Sequence, residues 1–512
     1  MRKRTFPSPA RLLILLVAAG ALHAAVKLPS FFSDHMVVQR GVPVRVWGSA
    51  DAGETVRIEL QGQTVTVKAG DNGKWSAWLR PLVAAGPLDM TVAGTNTVAI
   101  HDVLVGEVWL ASGQSNMEFA TNNVANRDDE LAHADYPMIR LFKVKHVVAA
   151  APADDVTGVW QLCSAETVKS FSAVAYFFGR HLQGDLSVPV GLIESDWGGT
   201  PAQSWISRQA LESDPSLQYV LNEWDKVLSN YPAAQQLYDR QLETWNQAVE
   251  AAKAQGKTPP NRPGAPPGPG HQNTPGGLYN GMIAPLAGYG MRGAIWYQGE
   301  SNANQAHAWL YRRLFAAMIE DWRNRWGQAD FPFYFVQLAN FKSNVWWPVL
   351  RESQTDTLRL ANTAMAVAID VGNPTDIHPT NKQDVGLRLA LAARALAYHE
   401  PVEYSGPAFL AATQEDFPPG AGAAMRVYFT HADGMQARGG GAITGFEIAG
   451  ADGKYFEAQA RVEGATVVVS TPQVAAPVAV RYAWADNPAC NLINGSSLPA
   501  GPFRSDEPHY NQ

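Results

Sequence analysis

Four short segments of this 512-residue chain carry residue types suited to acyl transfer. Gly113-Gln114-Ser115-Asn116-Met117 follows the apolar run VGEVWLAS, so Ser115 falls in a tight turn that exposes its hydroxyl and can aim its own N–H at a reacting oxygen. Trp197-Gly198-Gly199-Thr200 follows VGLIES, and paired glycines bare the backbone N–H groups that an oxyanion needs. Tyr297-Gln298-Gly299-Glu300-Ser301-Asn302 follows RGAIW; the Gln298 carboxamide is a further donor candidate, and Glu300 suits the orienting of a neighbour. Asp376-Ile377-His378-Pro379 follows TAMAVAID. A serine hydroxyl is unreactive near neutral pH until a base takes its proton, and His378 is the best placed of twelve histidines for that task. Asp376 would hold the imidazole tautomer and steady the imidazolium. Each segment alone reads as an ordinary turn; four of them at the ends of strand-like runs point to one site.

Such a site needs a frame. From about 105 to 400, the runs VGEVWLAS, VPVGLIES, RGAIWYQG, FPFYFVQLA and TAMAVAID alternate with helical stretches near 167–184, 307–326 and 381–400. Continuous apolar strands alternating with helices predict a parallel sheet covered on both faces, with its sites at the carboxyl ends of the strands. Residues 26–104 alternate apolar and polar side chains in short runs, with Asp71-Asn72-Gly73 as a hairpin turn, and read as a β-sandwich region without site chemistry. Residues 401–512 return to β, as a second sandwich or as the completion of the first. An insertion of about 208–275 divides the α/β region: a helical stretch, then a Pro/Gly-rich loop, either surface decoration or a shaper of access to the site.

The bulk properties exclude several classes. Hydrophobic residues make up 46% and charged residues 17%, a globular balance that rules out a largely disordered chain. A formal net charge of −7 gives no reason to expect a nucleic-acid partner. Arg2, Lys3, Arg4 and Arg11, the apolar run Leu12–Ala21, and Ala24-Ala25 predict a signal peptide over 1–25, hence a periplasmic or extracellular protein with no membrane association in its mature form. Cys163 and Cys490 stand far apart and make no disulfide framework. No CxxC or HExxH spacing points to a metal, so neither metal nor organic cofactor is expected. Sixteen tryptophans lean toward a carbohydrate ligand.

GQSNM, GLIESDWGGTPAQSW, GAIWYQGESNA and DIHPTNKQDVGLRLA resemble the sequence blocks of the sialate O-acetylesterase family, part of the SGNH hydrolases. LPSFFSDHMVVQRGVPVRVWG and NLINGSSLPAGPFRSD resemble its two ends. The resemblance implies a flavodoxin-like three-layer α/β/α domain, Ser115 as nucleophile and His378 as base. It also implies oxyanion donors from the Ser115 amide, Gly198 or Gly199, and Gln298, with Asn302 the nearby asparagine. The superfamily acid stands three residues before the histidine, where this chain has Thr375, so Asp376 takes that role at a different spacing. The implied activity is a serine esterase that removes O-acetyl groups from sugars, either sialic acid or a plant hemicellulose such as xylan or xyloglucan. Trp205, with Trp346 and Trp347, is a candidate for stacking on the sugar, and Arg351 and Arg388 are candidate cations for a sialate carboxylate. The alternative is a carbohydrate-binding protein with a degenerate hydrolase domain, against which the intact Ser115 and His378 argue.

Overall fold

The computed structural model describes residues 25–416 and 423–506. The expected signal peptide lies outside the described residues, apart from its last position. Seven strands build the sheet that carries the candidate site: β1 Thr97–Gly113, β2 Tyr136–Lys143, β3 Trp160–Cys163, β4 Val190–Asp196, β5 Gly293–Tyr297, β6 Phe333–Val336 and β7 Thr363–Ala366. Their order is β7-β6-β5-β1-β4-β2-β3, parallel throughout except that β3 closes its edge antiparallel to β2. Every residue of β4, β5 and β6 is buried, as expected of strands covered on both faces.

Six helices matter here: α1 Ser115–Glu118, α2 Ala173–Leu186, α3 Gln218–Ala254, α4 Tyr311–Trp326, α5 Trp347–Asp356 and α6 Gln383–Leu396. Register assigns the layers. Trp109 of β1 meets Phe178 of α2, whereas Trp296 of β5 pairs with Ser112 and so faces the other way, onto Phe315 and Trp322 of α4. Helices therefore cover both faces, and the domain is the three-layer α/β/α expected. α2 begins later than the sequence pattern suggests because the Ser172 hydroxyl caps it, accepting the Ala175 N–H at 3.2 Å. α4 stops at Gly327, which takes the left-handed conformation at φ 65°.

β1 is long for a reason visible in its burial. Its first residues alternate and pair antiparallel with Ala85–Ala93; from Val103 onward every side chain is buried. The boundary expected at 104/105 thus falls within one continuous strand that joins the N-terminal β region to the α/β sheet. Beyond β7, two four-stranded antiparallel sheets enclose a second core that includes Val427, Val467, Phe446 and Val480, with Val367 and Ile369 reaching into it. The C-terminal β region therefore has a core of its own. In the insertion, α3 extends about 55 Å, with only Val220 and Leu221 buried in its 37 residues. The Pro/Gly segment returns along it, Pro260 accepting a hydrogen bond from the Trp245 indole at 2.8 Å. No helix among the described residues is long and apolar enough to cross a membrane. Cys163 and Cys490 are unpaired.

Arg351 of α5 is fully buried. Its guanidinium donates to the carbonyls of Leu338 and Ala339 at 2.8 and 2.7 Å, and to those of Ala485 and Asp486 at 2.8 and 3.0 Å, tying the C-terminal β region to the α/β sheet. Burial pushes its pKa down to about 9. Arg388 is likewise committed, gripping Asp370 through two bonds of 2.6 and 2.8 Å. Neither arginine offered for a sialate carboxylate is available to one. Arg351→Met is expected to strip the Leu338, Ala485 and Asp486 carbonyls of this donor and to lower the unfolding free energy by about 2–4 kcal/mol. A urea midpoint unchanged from the parent would contradict this role.

Candidate active site

The chain leaves β1 toward β2 and β4 and later returns to lay β5 on its other side. The carboxyl ends of β4 and β5 therefore flank that of β1, and a crevice opens where the winding reverses. Ser115 stands there as the first residue of α1. The turn into it requires glycine: Gly113 has φ 144°, and a Cβ at that position would lie 2.1 Å from the Tyr297 carbonyl oxygen. The Gln114 N–H donates to that same carbonyl at 3.0 Å.

His378 Nε2 lies 2.8 Å from Ser115 Oγ, so the two residues separated by 263 positions meet as nucleophile and base would. The Asp376 carboxylate accepts the His378 backbone N–H at 2.9 Å, while its Oδ1 lies 3.7 Å from Nδ1. That gap is too long for a good hydrogen bond, so Asp376 braces the loop and acts on the ring through its charge. Burial lowers the His378 pKa below its ordinary value; Lys382 lowers it further and Asp376 opposes the change.

The glycine pair divides its roles. A Cβ on Gly198 would sit 3.3 Å from Ser115 Cβ, a close approach that keeps the turn against the nucleophile. The Gly198 N–H, however, donates to Glu118 Oε2 at 2.6 Å and is engaged. Gly199 is exposed at φ 73°, and no described residue accepts its N–H or that of Ser115. These two amides are the ones open to a ligand oxygen.

Gln298 differs from expectation. It is fully buried, and its amide nitrogen donates inward, to Asn302 Oδ1 at 2.8 Å, Gln114 Oε1 at 3.1 Å and the Thr200 carbonyl at 3.2 Å. Its oxygen accepts from the Tyr311 hydroxyl at 2.9 Å. With two hydrogens already shared among three acceptors, it has none to offer an oxyanion. Asn302 is also buried and committed, accepting the Ala202 N–H at 2.9 Å and donating to Gln203 at 3.0 Å. Trp205 is 0% exposed, packs edge-on against Trp296 and donates to Thr200 Oγ1 at 2.9 Å; it cannot stack on a sugar. Trp347 is buried as well, its indole donating to the Ala339 carbonyl at 3.0 Å, and Trp346 packs partly buried against the core.

Several participants went unnoticed in the sequence. Asn116 donates to Glu300 Oε1 at 2.6 Å and to the Ile377 carbonyl at 3.0 Å, while its own oxygen accepts from Lys382 Nζ. This fastens the histidine loop to the serine turn. Burial pushes Lys382 down to about 7 and raises Glu300 above the usual carboxylate range. Asn116 and Lys382 do lie within the GQSNM and DIHPTNKQD blocks, which was the available signal. The His146 ring stacks on Trp197 with centroids 4.2 Å apart, beside the glycine turn, and nothing in the sequence marked it. Gln272 of the insertion donates to the Gly198 carbonyl at 2.9 Å, so the insertion touches the site.

Known proteins resemble the chain over most of its length. Residues 270–397 match the family profile described as carbohydrate esterase, sialic acid-specific acetylesterase. The chain is 34% identical over 447 residues to the sialate O-acetylesterase of Rattus norvegicus, covering 78% of this chain and 80% of that one. It is 32% identical over 437 residues to the sialate O-acetylesterase of Homo sapiens, covering 77% and 75%. A crystal structure described as a novel carbohydrate acetylesterase from Xanthomonas citri superposes with a TM-score of 0.80 at 38% identity, covering 94% of this chain and all of that one.

Two outcomes are expected. Gln298→Ala should lower stability by about 2–4 kcal/mol, read as a lower denaturation midpoint, because it strips a buried network of its donor. A loss confined to kcat with the midpoint intact would return Gln298 to the reacting oxygen. For the pH dependence, the base works when neutral, so kcat/KM should rise with pH through an apparent pKa below 6.5. Asp376→Asn removes the charge that favours the imidazolium and should move that limb to still lower pH; a shift upward would refute its electrostatic role.

Proposed function

The chain belongs to the sialate O-acetylesterase family, and from that premise we propose a serine mechanism in which Ser115 takes the acetyl group from a sugar ester. The protein is a carbohydrate acetylesterase of that family. The observation that carries the mechanism is the 2.8 Å contact between Ser115 Oγ and His378 Nε2 at the mouth of the crevice. Ser115 attacks the acetyl carbonyl while His378 Nε2 accepts the hydroxyl proton. The oxygen that gains charge meets the Ser115 and Gly199 N–H groups, the first also at the amino end of α1. His378 then returns the proton to the departing sugar oxygen, leaving an acetyl-serine. Water attacks that ester with His378 again as base, and acetate departs. Asp376 favours the imidazolium in both steps by charge rather than by a hydrogen bond.

Export to the periplasm or beyond is supported by the basic start and apolar run of residues 2–21. For the substrate, Arg351 and Arg388 are both bound up in structural contacts, which favours a neutral acetylated polysaccharide such as xylan or xyloglucan over a sialoside. Acetate release from acetylated xylan, xyloglucan and sialosides decides between them; faster turnover of the sialosides would reverse the choice.

Ser115→Ala is expected to cut acetate release by about 10³-fold or more with the melting temperature retained, and His378→Ala by nearly as much, because the pair acts as a unit. Full activity in a folded Ser115→Ala protein would end the serine mechanism.

A further inference from the structure

We propose that Glu118, His146 and Asp196 form a binding site for one divalent transition-metal ion of the zinc class, beside the nucleophile turn. The three residues come from α1, from the loop after β2 and from the end of β4, so no sequence spacing joins them. One ligand atom from each lies within 4.8 Å of the other two. His146 Nε2 and Glu118 Oε1 stand 3.4 Å apart. A tetrahedral ion bonded at about 2.0–2.1 Å holds its ligand atoms at roughly that separation.

Asp196 supplies an independent observation. Its residue is 2% exposed, yet its Oδ2 is enclosed and accepts no hydrogen bond from the described residues. A buried carboxylate oxygen normally has a partner. The charge balance around it is also unequal. Asp196, Glu194 and Glu118 face Lys143, whose Nζ lies 2.6 Å from Glu194 Oε1.

The surroundings suit a bound ion. Gly198 N–H fixes the second oxygen of Glu118 at 2.6 Å, leaving Oε1 to the ion, and Trp197 holds the His146 ring by stacking. Entry is possible because the Glu118 and His146 side chains are about one-third exposed, at 31% and 30%. One imidazole and two carboxylates select zinc or cobalt(II) over calcium or magnesium. An ion there adjoins the reaction without taking a step in it: it would hold Glu118, three residues after Ser115, on the glycine turn.

The test uses the untagged full chain, stripped with chelator and dialysed. Calorimetric titration with zinc chloride should show one saturable equivalent per chain. Cobalt(II) added to the parent protein should give visible absorption bands of a low-coordinate site, displaced by zinc. His146→Gln and Asp196→Asn, checked for folding by thermal unfolding, should each weaken zinc binding by more than the roughly 10–100-fold that loss of a supporting partner costs. Absence of saturable zinc uptake and of cobalt bands in the parent protein would overturn the proposal, as would an equivalent bound with parent affinity in both variants.

Discussion

A single buried carboxamide holds the site together. Gln298 lies at the end of β5 and bonds to Gln114 in the serine turn, to the Thr200 carbonyl behind the glycine pair and to Asn302 in its own loop. Three strand ends are thereby fixed to one another through one planar group. Tyr311 orients that group from α4, and Gln354 of α5 donates to the Gln298 carbonyl at 3.1 Å. Because every polar atom is enclosed, any displacement of one loop leaves a donor or acceptor unsatisfied, which keeps the crevice in one arrangement.

Close packing sharpens that arrangement. β1 and β5 approach so nearly at Gly113 and Tyr297 that no side chain fits, and Gly198 meets Ser115 with similar economy. The histidine loop is attached separately, through Asn116, which holds the Ile377 carbonyl on one side and links Lys382 to Glu300 on the other. An ammonium and a carboxylate buried on either side of an asparagine hold that loop where His378 reaches the serine. The same ammonium is one reason the imidazole stays neutral at lower pH than usual.

The outlying parts bear on the crevice through few contacts. Arg351 joins the C-terminal β region to the loops after β6. The insertion reaches the glycine turn through Gln272, and α3 bears on the segment after the Gln298 loop through Glu223, whose carboxylate lies 2.7 Å from His307 Nε2. Beyond Leu221 no side chain of α3 is buried, and the Pro/Gly segment runs along it.

The frame was legible in the chain itself. Unbroken apolar runs such as GAIWY and VGLIES mark strands buried on both faces, and their alternation with amphipathic stretches allows little besides a parallel sheet between helices. Ser115, the Gly198-Gly199 pair and His378 could be singled out as candidates only together: each turn alone reads as an ordinary one, and their recurrence at strand ends is what pointed to one site, while the choice of Gly199 over Gly198 needed the Glu118 contact that engages the Gly198 N–H. What the residue types left undecided was direction. An amide such as Gln298 or Asn302 reads equally as a ligand donor or an internal brace, and an indole such as Trp205 as a platform or as core. Arg351 and Arg388 likewise read as ligand cations until their carbonyl and carboxylate partners were in view. Those choices depend on which neighbours arrive from distant parts of the chain, because burial and hydrogen-bond satisfaction are properties of the packed ensemble of residues. The meeting of Glu118, His146 and Asp196 is of the same kind: three residues without a shared motif, brought to one place by the ends of two strands and a single turn of helix.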